Sequence, residues 1–174
     1  STAQISKELK IQIKKEFKKI PNKIKLINCV GGGSSTYGFW SNFIDYNKKQ
    51  IELIGVEAGG RKNSKLHAAP LSRGAKLGVL HGAASYVCQN NEGQINETES
   101  ISAGLDYPGV SPIHCFLKDT KRARYTYATD EDALNAYKLV TKFEKLNPSL
   151  EPSHAFAEAI RIAPRLNKNT VIIV

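Results

Sequence analysis

The chain has 174 residues, 41% of them hydrophobic, and a net charge of +9. That is ordinary globular composition and the length of one domain, with about 70% of the unfolded chain's surface buried on folding. No apolar run approaches the roughly 18 residues of a membrane span, and the basic start has no unbroken apolar stretch of a secretory signal. The three cysteines, Cys29, Cys88 and Cys115, are odd in number and far apart. They predict neither a zinc site nor a disulfide framework, and they fit a reducing, cytoplasmic setting.

Residues 1–25 hold eight lysines and two glutamates, which is +6 of the +9. Ile5, Leu9, Ile13, Phe17 and Ile20 recur at helical spacing, so residues 1–22 read as a basic amphipathic helix that joins the domain by an apolar stripe. An organelle transit peptide is the weaker reading. The segment offers neither stacking aromatics nor a recognised motif, so nucleic acid is not expected as a partner, and neither is a membrane.

Residues 23–174 read as the domain proper. Lys23–Val30 predicts a strand that runs directly into Gly31-Gly32-Gly33-Ser34-Ser35-Thr36. A helix is expected over about 36–47, with Tyr37, Trp40, Phe43 and Ile44 on one side, and then a second strand, Ile51–Glu57. Strand, glycine loop, helix and strand make a βαβ unit with parallel strands and a right-handed crossover. Residues 58–122, rich in Gly, Ser, Asn and Pro, read as loops around short helices and one or two strands. Long irregular stretches inside a compact domain are often functional. Arg124–Ala128 predicts another strand. Thr129 to Asp132 is a capping-box pattern opening a helix with Leu134, Tyr137, Val140 and Phe143 on its apolar face. A further helix is expected at about 153–162, and Val171–Val174 is a strand at which the domain looks cut before its end. The fold class is α/β, a mainly parallel twisted sheet flanked by helices.

The glycine loop carries the chemistry. Glycines between a strand and a helix let a ligand approach the backbone closely, and amides at the helix start favour an anion. Ser34, Ser35 and Thr36 add hydroxyl donors. A phosphate cradle is the leading reading and a merely tight turn the other. The loop fits neither the P-loop nor G-x-G-x-x-G. Glu57 ends the next strand where a dinucleotide fold would place a ribose-binding acid. The four histidines show no metal-ligand spacing, and a Ser-His-Asp triad lacks its G-x-S-x-G.

Cys29-Val-Gly-Gly-Gly-Ser-Ser35 resembles the loop that binds the phosphate of pyridoxal 5'-phosphate (PLP) in tryptophan synthase β subunits, which usually read Gly-Gly-Gly-Ser-Asn. The similarity continues in order through Leu53-Ile-Gly-Val-Glu57, His67-Ala-Ala-Pro-Leu71, Ser100-Ile-Ser-Ala-Gly-Leu-Asp-Tyr-Pro108, Pro112-Ile-His114, Thr129–Ala133 and Leu150-Glu-Pro-Ser-His-Ala155. It covers about residues 24–174 and implies the C-terminal domain of a tryptophan synthase β-like PLP fold.

The resemblance implies that Gly31, Gly32, Gly33, Ser34 and Ser35 cradle the phosphate and that Glu151 lies near the pyridine ring. Asp106 would swing in on closure, and Leu80 and His81 would line the indole tunnel, the imidazole being a departure from the usual aromatic. The carbonyls of Gly31, Tyr107 and Gly109 would bind a monovalent cation, sodium or potassium. The implied reaction is the condensation of L-serine with indole to give L-tryptophan and water, with an α subunit and a β–β homodimer as partners. The family's Schiff-base lysine follows a histidine, and no His-Lys pair occurs here. The expectation is therefore a fragment inactive alone. The alternative is a non-catalytic half-domain of the PLP fold that binds an anion or a partner.

Overall fold

The computed structural model describes residues 2–174. Its main sheet is built from β1 (Ile24–Cys29), β2 (Ile51–Ala58), β5 (Ala123–Ala128) and β6 (Val171–Ile173), in the order β5-β2-β1-β6 and parallel throughout. β3 (Lys76–Leu80) and β4 (Ala83–Val87) form a separate antiparallel hairpin. The helices are α1 (Ala3–Phe17), α2 (Ser34–Trp40), α3 (Pro112–Asp119), α4 (Asp130–Glu144) and α5 (Leu150–Ile162).

β1 and β2 are apolar along most of their length because helices cover both faces, as parallel sheets require. On one face Ile24, Leu26, Ile51 and Leu53 pack with Ile13 of α1, Trp40, Phe43 and Leu117 of α3. On the other, Ile27, Ile54 and Val56 meet Ala155 of α5. The charges inside these strands pair on that second side. Lys25 bridges Glu52, its register partner, and Arg124 reaches Glu52 at 3.3 Å and the buried Glu158 at 3.0 Å.

Four helices differ from the sequence expectation, α5 by starting at Leu150 rather than at about residue 153. In α1 only Ile13 of the expected stripe is buried, and Ile5 and Phe17 are 46% and 44% exposed. The helix is seated instead by Ser6, fully buried, 2.8 Å from the Ser41 hydroxyl and accepting from the Asn42 amide at 2.7 Å. α2 begins two residues early and stops at Trp40, and Phe43 enters the core from the turns that follow. α4 has the expected capping box, with the Thr129 hydroxyl accepting from the Asp132 amide at 3.2 Å and Asp132 accepting from the Thr129 amide at 3.0 Å. Its buried face, however, is Ala133, Ala136 and Val140, with Phe143 66% exposed. Small side chains let α4 lie close on α5, and the aromatic is left outside.

Leu53 sits at the centre of the larger core with no exposed surface. Truncation there removes packing that neighbours recover only in part. Leu53→Ala is expected to lower the unfolding free energy by about 2–5 kcal/mol in urea titration.

Candidate functional site

β1 delivers the chain into the glycine loop, and three contacts fix the loop's shape. The buried Thr36 hydroxyl donates to the Cys29 carbonyl and ties α2 back to the strand end. The Gly32 carbonyl accepts from the Ser111 amide at 2.9 Å. The Gly33 carbonyl accepts from the Tyr37 amide at 2.9 Å and from His114 Nε2 at 2.8 Å. A carbonyl can only accept, so Nε2 carries the proton and Nδ1 accepts from the Tyr125 hydroxyl, 2.7 Å away. Burial pushes the His114 pKa down and the Tyr125 pKa up, which suits a neutral imidazole and a protonated phenol.

Gly33 has φ +97°, and a Cβ on it would overlap the His114 ring. A Cβ on Gly31 would come within 2.7 Å of the Gly104 carbonyl. Amide and carbonyl point in opposite directions across a trans peptide. With the Gly32 and Gly33 carbonyls held by Ser111 and His114, the Gly33 and Ser34 amides are directed away from that segment.

Gly31, Gly32, Gly33, Ser34 and Ser35 line one cavity of about 420 Å³ together with Cys29 and Glu151. Glu151, in the first turn of α5, accepts from the Gly104 amide at 3.1 Å. Its own backbone amide at the start of α5, and the Gly104 amide, hold its pKa down at about 2, so it is an anion throughout the physiological range. Burial, and to a lesser degree Glu151, push the Cys29 thiol up to about 11, which leaves it protonated and a poor nucleophile.

A second cavity of about 560 Å³ shares Gly32 and Gly104 with the first. Leu80, His81, Asp106 and Tyr107 line it. His81 and Gly82 are the two turn residues of the β3–β4 hairpin, both with positive φ (52° and 76°), as a type I′ turn demands. The His81 ring stacks on Tyr107 at 6.0 Å and 8°. Gly109 lies against Leu80, and Gly31 belongs to the first cavity.

Glu57 is not placed as a ribose-binding acid. It is 1% exposed and accepts from the Leu71 amide (3.0 Å), the Ser72 amide (2.7 Å) and the Ser72 hydroxyl (2.6 Å), anchoring the turn after Pro70. Burial pushes its pKa up to about 7 against those donors. His114 and Gly104 are site residues that the sequence reading did not single out as such. Pro112 marks the start of α3, but nothing in the sequence shows that His114 faces the loop.

No protein-family model matches the chain. Over 98% of its length it is 48% identical to the tryptophan synthase beta chain of Fusobacterium nucleatum subsp. nucleatum, and over the same share 46% identical to that of Chromobacterium violaceum. It is 49% identical to tryptophan synthase beta chain 1 of Chlamydia caviae, again over 98%. The chain corresponds to the C-terminal half of tryptophan synthase β chains. It spans 40–42% of the length of these relatives. In structure it resembles a T.th. threonine deaminase (TM-score 0.65, 16% identity, 98% of this chain and 53% of that one). It also resembles a fungal L-serine ammonia-lyase from Rhizomucor miehei (TM-score 0.63, 19% identity, 99% and 49%). These likenesses bear out the expected fold, a mainly parallel sheet flanked by helices. No helix among the described residues is long and apolar enough to cross a membrane.

Gly33→Ala, which must displace His114, is expected to unfold at a lower urea concentration than the wild type and to expose the 31–36 amides to hydrogen exchange. A second test concerns Glu57, whose folded pKa lies above its unfolded one. Its folded form holds a proton more tightly, so its contribution to stability is complete below about 4.5 and lost as pH rises through about 7. The stability of wild type relative to Glu57→Gln should therefore be greater at pH 5 than at pH 8 in urea titrations, and an unchanged relative stability would contradict the assignment.

Proposed function

We propose that this chain is the half of a tryptophan synthase β subunit that grips the PLP phosphate, in an enzyme that condenses L-serine with indole to give L-tryptophan and water. The observation that carries the reading is the single cavity that joins the glycine cradle to Glu151. The residues fit the group. Gly31 and Gly33 have no room for side chains, the Ser34 and Ser35 hydroxyls line the cavity, and a permanent anion stands on its other wall.

When bound, PLP supplies the electron sink for loss of the serine hydroxyl and addition of indole. The Gly31–Ser35 backbone and hydroxyls hold its phosphate. Glu151 acts beside the ring as a hydrogen-bond acceptor, because an acid with a pKa of about 2 has no proton to give near neutrality. The second cavity takes the substrates, with Asp106 moving on closure. Leu80 and His81 border the indole path, and the stack on Tyr107 keeps the imidazole at its edge. The carbonyls of Gly31, Tyr107 and Gly109 hold sodium or potassium. An α subunit and a second β chain are the partners of the intact enzyme. The exposed hairpin residues Leu77 and Val79, at 67% and 73%, offer apolar surface for the N-terminal half of the subunit.

One observation favours a second reading, a half-domain that binds without catalysis. No lysine lines either cavity, so the residues here supply the phosphate grip and not the covalent anchor. Adding the N-terminal half of a related β chain separates the two readings. Tryptophan formed from L-serine and indole supports the enzyme, and PLP binding with no turnover in a formed complex supports the half-domain. PLP binding itself is tested by equilibrium dialysis. Ser34→Ala removes a donor to a charged phosphate and is expected to cost about 1.5–3 kcal/mol, roughly 10-fold or more in Kd. Wild-type PLP affinity in that variant would remove Ser34 from the cradle.

A further inference from the structure

At the opposite end of the sheet lies a hollow of about 200 Å³ lined by Lys23, Lys25, Lys48, Lys49 and Arg165, with Glu52 as its one acid. Glu52 is already engaged by Lys25 and Arg124. Asp45, the acid of the adjoining loop, acts electrostatically on Arg122. Lys23, Lys48, Lys49 and Arg165 have no ion-pair partner among the described residues. All four are exposed. Four like charges around one hollow repel each other and add nothing to folding.

The frame beneath them is rigid. Lys23 precedes β1, Gln50 precedes β2 and Thr170 precedes β6, so three strand starts meet there. The Ile24 amide donates to the Gln50 carbonyl at 2.8 Å and the Val171 amide to the Lys23 carbonyl at 3.0 Å. Asn47 and Asn167 brace the two loops, accepting from the amides of Lys49 at 2.8 Å and Asn169 at 3.0 Å. Preorganised backbone carrying unpaired cations around a concavity is the physical specification of an anion site. The glycine cradle sits beyond the other end of β1, roughly 20 Å away at about 3.3 Å per residue. The hollow is smaller than the roughly 300–1,000 Å³ of drug-sized ligand sites, which points to a compact occupant.

From the unpaired Lys23, Lys48, Lys49 and Arg165 around this hollow we infer that the chain has a second anion site, remote from the cofactor cavity, for a small oligophosphate such as pyrophosphate or the phosphate tail of a nucleotide. The site is independent of the proposed catalytic function. It is tested by calorimetric titration of the protein carrying this chain with inorganic pyrophosphate at low salt, and by mapping amide shifts in NMR spectra. Saturable binding that shifts the Lys23, Gln50 and Thr170 amides, and that weakens at least 10-fold in Lys23→Gln/Lys49→Gln/Arg165→Gln, is expected. Titration with ATP in place of pyrophosphate distinguishes the sources: the same amides move for both, and tighter binding of ATP identifies a nucleotide. The inference is overturned by the absence of saturable binding, by shifts confined to Gly31–Ser35, or by an affinity unchanged in a folded triple variant. It is also overturned if affinity for single-stranded RNA rises with length well past the hollow, since the patch would then be a polyelectrolyte surface.

Discussion

The glycine-loop end of this domain depends on one buried hydrogen bond, from His114 to the carbonyl of Gly33. Gly33 occupies a backbone conformation that side chains rarely adopt, and such a conformation persists only where its surroundings over-determine it. His114 does this in two ways. Its Nε2–H satisfies the Gly33 carbonyl, and its ring fills the space a Cβ would need. The ring is itself fixed, with Tyr125 donating to Nδ1 and Trp40 and Tyr125 packed edge-on at 5.7 and 5.8 Å. Tyr125 belongs to β5, His114 to α3 and Gly33 to the loop after β1. The loop's geometry is thus set by the sheet through a chain of oriented side chains, and any ligand held by that loop inherits the sheet's rigidity.

The same logic explains why polar groups are tolerated in the interior. A buried charge is costly unless it is paired and hydrogen-bonded. Glu57 has three donors, and Glu158 has Arg124 and Arg161. Each holds a neighbouring segment to the sheet or to α5. Glu57 fastens the turn after Pro70, at the entrance to the long irregular stretch that carries the hairpin and Asp106. Arg122 does similar work with no acid in contact, donating to the carbonyls of Phe43 (2.8 Å), Ile44 and Ile51 (3.2 Å). The turns after α2 are therefore held by backbone acceptance rather than by helix.

What could be read from the sequence was what local rules govern. The strands expected at 23–30, 51–57 and 124–128 lie within one residue of β1, β2 and β5, and Thr129 with Asp132 announces a capping box. The tight loop after β1 follows from three glycines between a strand and a helix. The failures share one cause, which is that partner identity is tertiary. Ile5 and Phe17 keep helical spacing yet face water, because the helix docks through Ser6 onto Ser41 and Asn42. The face of α4 is set by how closely α5 approaches, which selects alanines over Phe143. Glu57 stood at the right position for a ribose acid, and only the fold shows the Leu71 and Ser72 amides arriving to claim it. Gly104 and Glu151 are 47 residues apart, and no periodicity links them.

The arrangement also constrains what this half can contribute to chemistry. Its cavity groups are a neutral thiol, a permanent carboxylate, the Asn28 carboxamide, three hydroxyls and backbone amides. None is poised to trade a proton near neutral pH: Cys29 titrates far above and Glu151 far below. Proton transfer needs a group whose pKa lies near the operating pH. A wall of this kind can bind and orient a ligand, and any proton transfer beside it needs a group from outside this cavity. A surface that only holds gains from stiffness, and the His114–Gly33 bond supplies it.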